Sequence, residues 1–162
     1  MVDRNLNHHV VVTAIVVRDG KYLIAKRADW EVAFPGRWTV PGGKVEVLDY
    51  VLRDKDTPHH WYNVLEDAVK REVAEEVGLQ IGRLGYVTSL VYLKKGNVPC
   101  LIISLHANAK DGEVRLCNAL TEYAWIDLSE MKNYDLIEGI HEELEIVDKI
   151  LKGEDVEAWE KS

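Results

Sequence analysis

The chain has 162 residues and a formal net charge of -8, with 47% apolar and 30% charged residues. This length and composition predict a single domain over residues 1–162 with one core of ordinary size. The negative charge argues against binding to an extended nucleic acid, since such binding needs clustered Lys and Arg side chains that neutralise phosphates. No apolar run approaches about 18 residues and the first seven residues lack a signal-peptide layout, so we expect a cytoplasmic protein without a membrane span.

In chain order, the apolar pattern predicts strands separated by two helices. Two apolar, β-branched runs, at 10–17 and 22–26, flank an Asp-Gly pair and predict a hairpin. Residues 28–46 are rich in Gly, Pro and aromatic residues, which favours loop with one short strand at 38–40. The other expected elements are a helix at 63–78, strands at 85–94, 98–107 and 123–126, a helix at 137–152 and a polar end at 154–162. This order is typical of an α/β (α+β) layered domain.

Three carboxylates share one side of the first helix. Glu72, Glu75 and Glu76 are spaced i, i+3, i+4, which makes their side chains neighbours on a helix. Their like charges repel unless a cation lies between them, and a helical projection places them along the margin of the buried face. This pattern indicates a cleft that binds a hard divalent cation. The alternative is a solvated helix laced with ion pairs such as Arg71 with Glu75.

Local signals also predict the ends of this helix. Asn63 is a favourable N-cap residue, and Glu66 three positions later completes the pattern of a capping box. Gly78 predicts the C-terminal end.

The acidic run follows a glycine-rich segment, Pro41 to Glu46, and the two together resemble the Nudix box. That box reads Gly, five residues, Glu, seven residues, then Arg-Glu-aliphatic-x-Glu-Glu-x-Gly-aliphatic. Arg71 through Leu79 match its second half at every defined position, and Gly43 matches its opening glycine. The chain therefore resembles a Nudix hydrolase over about residues 8–150.

The first half of the box is interrupted. Counting eight residues back from Arg71 reaches Asn63 where the family has glutamate, and about fourteen extra residues form an insertion at about 47–62. In the family this glutamate braces the junction between loop and helix. Asn63 could keep the bracing role as an N-cap but cannot form a charge pair with Arg71, so we expect the rate contribution of this position to be either lost or relocated to a side chain of the insertion. The candidates are Asp49, Asp54, Asp56, His59 and His60.

The resemblance implies an α/β/α sandwich around a mixed β-sheet and the metal-dependent hydrolysis of a nucleoside diphosphate linked to another group, X. Glu72, Glu75 and Glu76 would bind Mg²⁺ or Mn²⁺, with the Gly43 carbonyl as a further ligand, and water would attack phosphorus. Arg71 lies off the carboxylate arc in the projection, so we expect it to orient Glu72 or Glu75.

Further candidates lie outside the box. Family members place the general base differently, and here Glu122 and Glu138 are candidates on later segments; an ordinary surface role is the competing interpretation. Arg27 and Lys44 flank the expected cleft, where they would either contact phosphates or remain solvated.

The aromatic residues concentrate before and inside the insertion. Trp38 alternates with strand neighbours, which favours packing in the core. Trp61 and Tyr62 suit either a hydrophobic staple or a contact with substrate or with a second subunit of a homodimer. Cys100 and Cys117 show neither a CxxC motif nor zinc spacing, which indicates free thiols in a reducing compartment.

Three classes of function fit this pattern. The intact Arg-Glu-x-x-Glu-Glu run favours a pyrophosphohydrolase acting on a small nucleotide or diphosphate. A non-catalytic Nudix-fold module that binds nucleotides is the alternative, supported by the interrupted box. An isopentenyl-diphosphate isomerase is disfavoured, because it needs a catalytic cysteine ahead of the box and both cysteines follow it.

Overall fold

A tight hairpin opens the computed structural model, which describes residues 7–160. Strands β1 (His9–Arg18) and β2 (Lys21–Arg27) are joined by Asp19 and Gly20, whose φ angles of 52° and 73° are the positive values that a type I′ turn requires. The hairpin expected from the Asp-Gly pair is confirmed. Residues 1–6 and 161–162, which include most of the N-terminal segment and the end of the C-terminal segment considered above, lie outside the described residues.

Within the described residues, seven strands form one mixed sheet. The remaining strands are β3 (Trp38–Thr39), β4 (Gly42–Lys44), β5 (Ile81–Lys94), β6 (Val98–Ala109) and β7 (Leu120–Ile126). The central order is β3-β2-β1-β6-β5, with β4 paired to β1 and β7 paired to β2. Among the named strands of residues 7–160, only β1 and β6 pair in parallel, from His9 opposite Cys100 to Val17 opposite Asn108.

One helix covers each face of this sheet. The first long helix, α2 (Val64–Val77), buries Val69, Val73 and Val77 against alternate β1 residues. On the other face, α3 (Ile140–Leu151) packs on the β1 residues that point the opposite way, such as Ile15. Because side chains alternate along a strand, the continuous apolar run of β1 supplies both cores. The structure is the α/β/α sandwich that the sequence predicts.

Several elements differ from the sequence prediction. Gly42–Lys44 form a strand instead of loop, because β1 provides antiparallel partners for them. A short helix, α1 (Leu48–Val51), and a 3₁₀ helix at Leu128–Asn133 have no counterpart in the prediction. Helix α3 begins later than expected, after Gly139, whose φ of 92° interrupts the helical backbone.

The capping box predicted at Asn63 is wrong. Asn63 precedes α2 with a left-handed backbone (φ 56°, ψ 27°), and its side chain makes no capping hydrogen bond. An N-cap side chain accepts its hydrogen bond when the N-cap backbone is extended, and the backbone of Asn63 is left-handed instead. At the other end, Gly78 has φ 70° and its N–H donates to the Ala74 carbonyl, so the predicted C-terminal stop is confirmed.

Peripheral residues attach mainly to the α3 face. Trp38 meets Tyr134 edge-on with ring centroids 4.8 Å apart and packs on the second core, as expected for a core residue. Val156 packs there too and docks the C-terminal segment. No helix within residues 7–160 is long and apolar enough to cross a membrane.

Candidate active site

Two glycines of β4 contact the acidic side of α2. A Cβ atom at Gly43 would collide with the Glu72 carboxylate, so only glycine leaves room for this approach. One residue earlier, the Gly42 N–H donates to Glu76 Oε2 at 2.9 Å. The glycine pair therefore fixes Glu72 and Glu76 beside the same short strand.

Glu76 is the carboxylate most affected by its surroundings. Burial raises its pKa to about 7; the Gly42 N–H and Arg27 oppose this rise, whereas Glu72 and Glu31 add to it. Burial raises the pKa of Glu72 as well, against the effect of Arg71. Both shifts have the same physical meaning: negative charge at this place lacks sufficient compensation from the protein alone.

Arg71 joins the acidic helix to the residues after β4. Its guanidinium donates to Glu72 at 2.9 Å and to Glu75 at 3.1 Å. It also donates to the Lys44 carbonyl at 3.2 Å. Arg71 therefore contacts Glu72 and Glu75, the carboxylates that it is predicted to orient.

Asp49 is the fourth partner of Arg71, and it lies at the start of the insertion. Its carboxylate, only 3% exposed, accepts from Arg71 Nε at 2.5 Å and from Nη2 at 3.2 Å, and also from the Glu46 N–H at 2.6 Å. Burial opposes its charge, but these hydrogen bonds prevail and lower the pKa of Asp49. Asp49 thus forms the charge pair that Asn63 cannot form.

The position of Asp49 corrects the boundaries of the insertion. Counting forward from Gly43, five residues precede Asp49, which is the spacing of the first half of the box. The extra residues therefore lie between Asp49 and Arg71, and the insertion begins after Asp49 instead of at residue 47. Counting from the glycine end would have identified Asp49 in the sequence.

The donor set suits a hard divalent cation in chemical type. Glu72, Glu75 and Glu76 provide only oxygen ligands. Because Gly43 has no Cβ atom, its backbone lies directly beside the Glu72 carboxylate. Among residues 7–160, however, no three His, Cys, Asp or Glu side chains converge closely enough to hold an ion as they stand. Glu72 and Glu75 contact Arg71, and Glu76 contacts Gly42, so binding of an ion requires these carboxylates to exchange partners.

The other predicted site residues lie in different surroundings. Arg27 contacts Glu31 at 2.9 Å and acts electrostatically on Glu76, which places it at the site. The Lys44 side chain is exposed next to Gly43. Glu31 is a nearby acid that the sequence analysis does not identify.

Glu122 lies apart from these groups. Its carboxylate pairs with Lys26 at 2.8 Å, opposite it on β2. Along β7 it alternates with Tyr123 and shares a face with Ala124, which packs on the core beneath α3. The side chain of Glu122 therefore points to the face opposite α2. Glu138 is exposed just before α3.

The insertion folds on itself and on α2. Arg53 pairs with Asp56 at 2.8 Å and with Asp67 of α2 at 3.6 Å. The Trp61 indole N–H donates to the Arg53 carbonyl at 3.1 Å, and the Trp61 ring lies 5.4 Å from that of Tyr50. These contacts give the segment a defined shape beside the acidic helix.

Comparison with known proteins agrees with this geometry. A family model described as NUDIX domain matches residues 7–145, so the chain belongs to the Nudix family and is a Nudix pyrophosphohydrolase.

Individual relatives are similar over most of their length. Nucleoside triphosphatase NudI from Escherichia coli (strain K12) is 25% identical over 142 residues, which cover 81% of this chain and 90% of that protein. A MutT NUDIX hydrolase from Burkholderia pseudomallei has a similar structure, with a TM-score of 0.67 and 26% identity over 87% of this chain and 98% of that one. The NUDIX domain of Shewanella oneidensis NrtR, solved with ADP ribose, shares the fold with a TM-score of 0.68 and 16% identity, covering 90% and 89% of the two chains.

Proposed function

We propose that residues 1–162 form a single catalytic domain that hydrolyses a phosphoanhydride bond in a nucleoside diphosphate linked to X, with Mg²⁺ or Mn²⁺. The observation that carries this proposal is the placement of Glu72 and Glu76 on the glycine pair of β4, with Arg71 bridging Glu72, Glu75 and the insertion. The similarity to a nucleoside triphosphatase supports a nucleoside in the substrate.

Glu72, Glu75 and Glu76 would hold the ion, and the Gly43 carbonyl would lie beside it. When bound, a divalent ion screens the charge of the diphosphate and lowers the pKa of a coordinated water. A new bond forms between the water oxygen and phosphorus while the bridging bond from phosphorus to oxygen breaks, and the leaving phosphate carries away that oxygen. Arg71 keeps Glu72 and Glu75 oriented, and Asp49 keeps Arg71 in place.

Arg27 is proposed to contact the phosphates, since it acts on Glu76. Lys44 lies opposite Val11 on β1, whose side chain points away from α2, so we assign Lys44 no phosphate contact. We assign no base role to Glu122, because its carboxylate pairs with Lys26 and points to the other face of the sheet. A non-catalytic module has only the interrupted box in its favour, and the contact of Asp49 with Arg71 speaks against it.

Two further predictions accompany the proposal. The free thiols of Cys100 and Cys117 support a cytoplasmic location. A homodimer formed through the insertion is supported by Tyr62, whose ring is exposed.

The test is release of phosphate or pyrophosphate from nucleoside triphosphates, nucleotide sugars and dinucleotides, each with Mg²⁺, with Mn²⁺ and with EDTA. We expect metal-dependent turnover of at least one compound, lost in Glu76→Gln and retained in Glu66→Gln, which changes an exposed carboxylate on the same helix. Undiminished turnover in Glu76→Gln, or no turnover of any compound of the panel by the wild type, would overturn the proposal.

A further inference from the structure

Arg27, the last residue of β2, is engaged by the loop that follows it, residues 28–37. Its Nη2 donates to the Glu31 carboxylate at 2.9 Å, and its Nε donates to the Ala33 carbonyl at 2.6 Å. The side chains of Arg27 and Glu31 are 21% and 30% exposed, so water only partly screens this ion pair. The guanidinium proposed to contact phosphates is therefore paired with a carboxylate of its own chain.

The backbone of this loop is fixed at two places. At its start, the Gly36 N–H donates to the Arg27 carbonyl at 3.1 Å. Further along, Phe34 has a φ of 49°, a value that bulky residues rarely adopt, and its ring lies 5.5 Å from that of Tyr92 on β5. We therefore expect Arg27 to change partners by rotation of the Glu31 side chain, with the loop backbone in place.

Both members of this ion pair act on the acidic site. Arg27 opposes the rise in the pKa of Glu76, and Glu31 adds to it. Because such Coulomb interactions weaken with distance, both charges lie close to the place where Glu76 would hold an ion. In the free protein, Glu31 thus offsets part of the positive charge that Arg27 offers to a phosphate there.

A phosphate and the Glu31 carboxylate have the same use for Arg27. A guanidinium donates to oxygens of either anion with similar geometry. The contact of Nε with the Ala33 carbonyl keeps the guanidinium oriented when Nη2 changes partner. A displaced Glu31 side chain is exposed enough for water to solvate it. The free energy needed to break the ion pair is subtracted from the free energy of phosphate binding.

We propose that Glu31 is a positioning residue that competes with the substrate phosphates for Arg27 and thereby raises KM. The inference rests on the proposed hydrolysis of a diphosphate and on the proposed contact of Arg27 with its phosphates. It assigns a role to Glu31, an acid of the site that the proposed reaction does not use.

The first test compares the steady-state kinetics of Glu31→Gln with those of the wild type, with Mg²⁺ and one substrate. We expect KM to fall about threefold to fivefold, the size of one partly exposed ion pair, with kcat nearly unchanged. Glu31→Asp restores the charge and should bring KM back toward the wild-type value. The matched control is Asp29→Asn, which removes an exposed carboxylate of the same loop and should leave KM unchanged. A raised or unchanged KM in Glu31→Gln would overturn the inference.

A double-mutant cycle tests whether Glu31 acts through Arg27. Arg27→Gln should raise KM about tenfold, because charged hydrogen bonds to phosphate are lost. In this background, Glu31→Gln should have no effect on KM. The same fall in KM in both backgrounds would mean that Glu31 repels the phosphates directly, and the competition would be refuted. An unchanged KM in Arg27→Gln alone would refute the phosphate contact and the inference together, while the hydrolase assignment stands on Glu76→Gln.

Binding is measured separately by calorimetry with imidodiphosphate and Mg²⁺, which reports phosphate binding without turnover. The Kd of Glu31→Gln should be about threefold to fivefold lower than that of the wild type, and Asp29→Asn should match the wild type. In the Arg27→Gln background, Glu31→Gln should leave the Kd unchanged. Equal Kd values for the wild type and Glu31→Gln, or binding by neither, would contradict the competition.

Discussion

The two helices that cover the sheet each turn a glutamate toward it, with different results. On α3, Glu143 is 6% exposed and its carboxyl contacts the Ser104 hydroxyl at 2.6 Å. On α2, Glu76 contacts a backbone N–H of a glycine strand, and Glu72 and Glu75 follow on the same helix face. Burial raises the pKa of both Glu76 and Glu143. The neighbours therefore distinguish Glu143, which contacts a serine hydroxyl, from the carboxylates proposed to bind an ion, whereas burial alone does not.

The largest expected effect is a difference in turnover between the Glu76→Gln and Glu143→Gln variants. Glu76→Gln should lower metal-dependent turnover by about a hundredfold or more, because a catalytic ion supplies several kcal/mol of stabilisation to the transition state. Glu143→Gln keeps the shape and can still accept from Ser104, so its turnover should remain close to that of the wild type. Steady-state kinetics of both variants with saturating Mg²⁺ measure this difference. Equal losses in the two variants would show that the comparison is wrong.

The next effect concerns Asp49, the partner of Arg71. Asp49→Asn should lower turnover by about 10- to 100-fold, the usual cost of losing a group that orients metal ligands. Asp49→Glu should recover part of the rate, because it restores the charge pair with Arg71. Asp54→Asn, an exposed carboxylate of the insertion, is the control. A rate in Asp49→Asn equal to that of the control would exclude the bracing role.

A smaller effect should be visible in the stability of metal-free protein. The pKa of Glu76 is raised from 4.5 to about 7, so the folded state binds more protons than the unfolded state between these values and the free energy of unfolding falls as pH rises through them. Glu76→Gln removes this penalty and should stabilise the EDTA-treated protein by about 1–3 kcal/mol at pH 8.

Urea titrations at pH values from 4.5 to 8 measure this slope of the free energy of unfolding against pH. Glu143→Gln should flatten it too, since the pKa of Glu143 is also raised. With saturating Mg²⁺, the contribution of Glu76 to the pH dependence of the free energy of unfolding should change sign, because the ion binds the ionised carboxylate. The contribution of Glu143 should stay as it is in EDTA. A slope with Mg²⁺ that matches the slope with EDTA would count against an ion at Glu76.

The smallest effect is expected at Glu122. Its partner is Lys26 on the α3 face, and a surface ion pair of this kind contributes little. Glu122→Gln should therefore retain turnover within about twofold of the wild type, with an unshifted pH profile. A large loss of kcat, together with a shift in the acidic limb of the pH–rate profile, would instead identify Glu122 as the general base.

The sequence is sufficient to predict those turns, helix ends and helix faces that neighbouring residues determine. The Asp-Gly pair specifies the first turn, and Gly78 ends α2 because it accepts a left-handed backbone. The three glutamates follow from helical spacing alone. Together these features predict the hairpin, the acidic helix and the layered fold.

Other parts depend on residues far apart in the chain. Gly42–Lys44 have no strand pattern of their own and become β4 only because Val11–Thr13 pair with them. The ion pair of Glu122 with Lys26 follows from the register between β7 and β2, which the sequence of β7 alone does not reveal. A count back from Arg71 crosses the inserted residues and misses Asp49, whereas the count from Gly43 reaches it directly.

The way the insertion is fastened has a consequence for how this enzyme can diversify. Asp49 secures its beginning to Arg71, and Arg53 secures its body to Asp67. Residues 54–62 thus form a loop closed by the pair of Arg53 and Asp67, and neither anchor involves Glu72, Glu75 or Glu76. Loops of other lengths and sequences grafted between Arg53 and Asp67 are expected to leave the acidic helix in place and to change only the surface beside it.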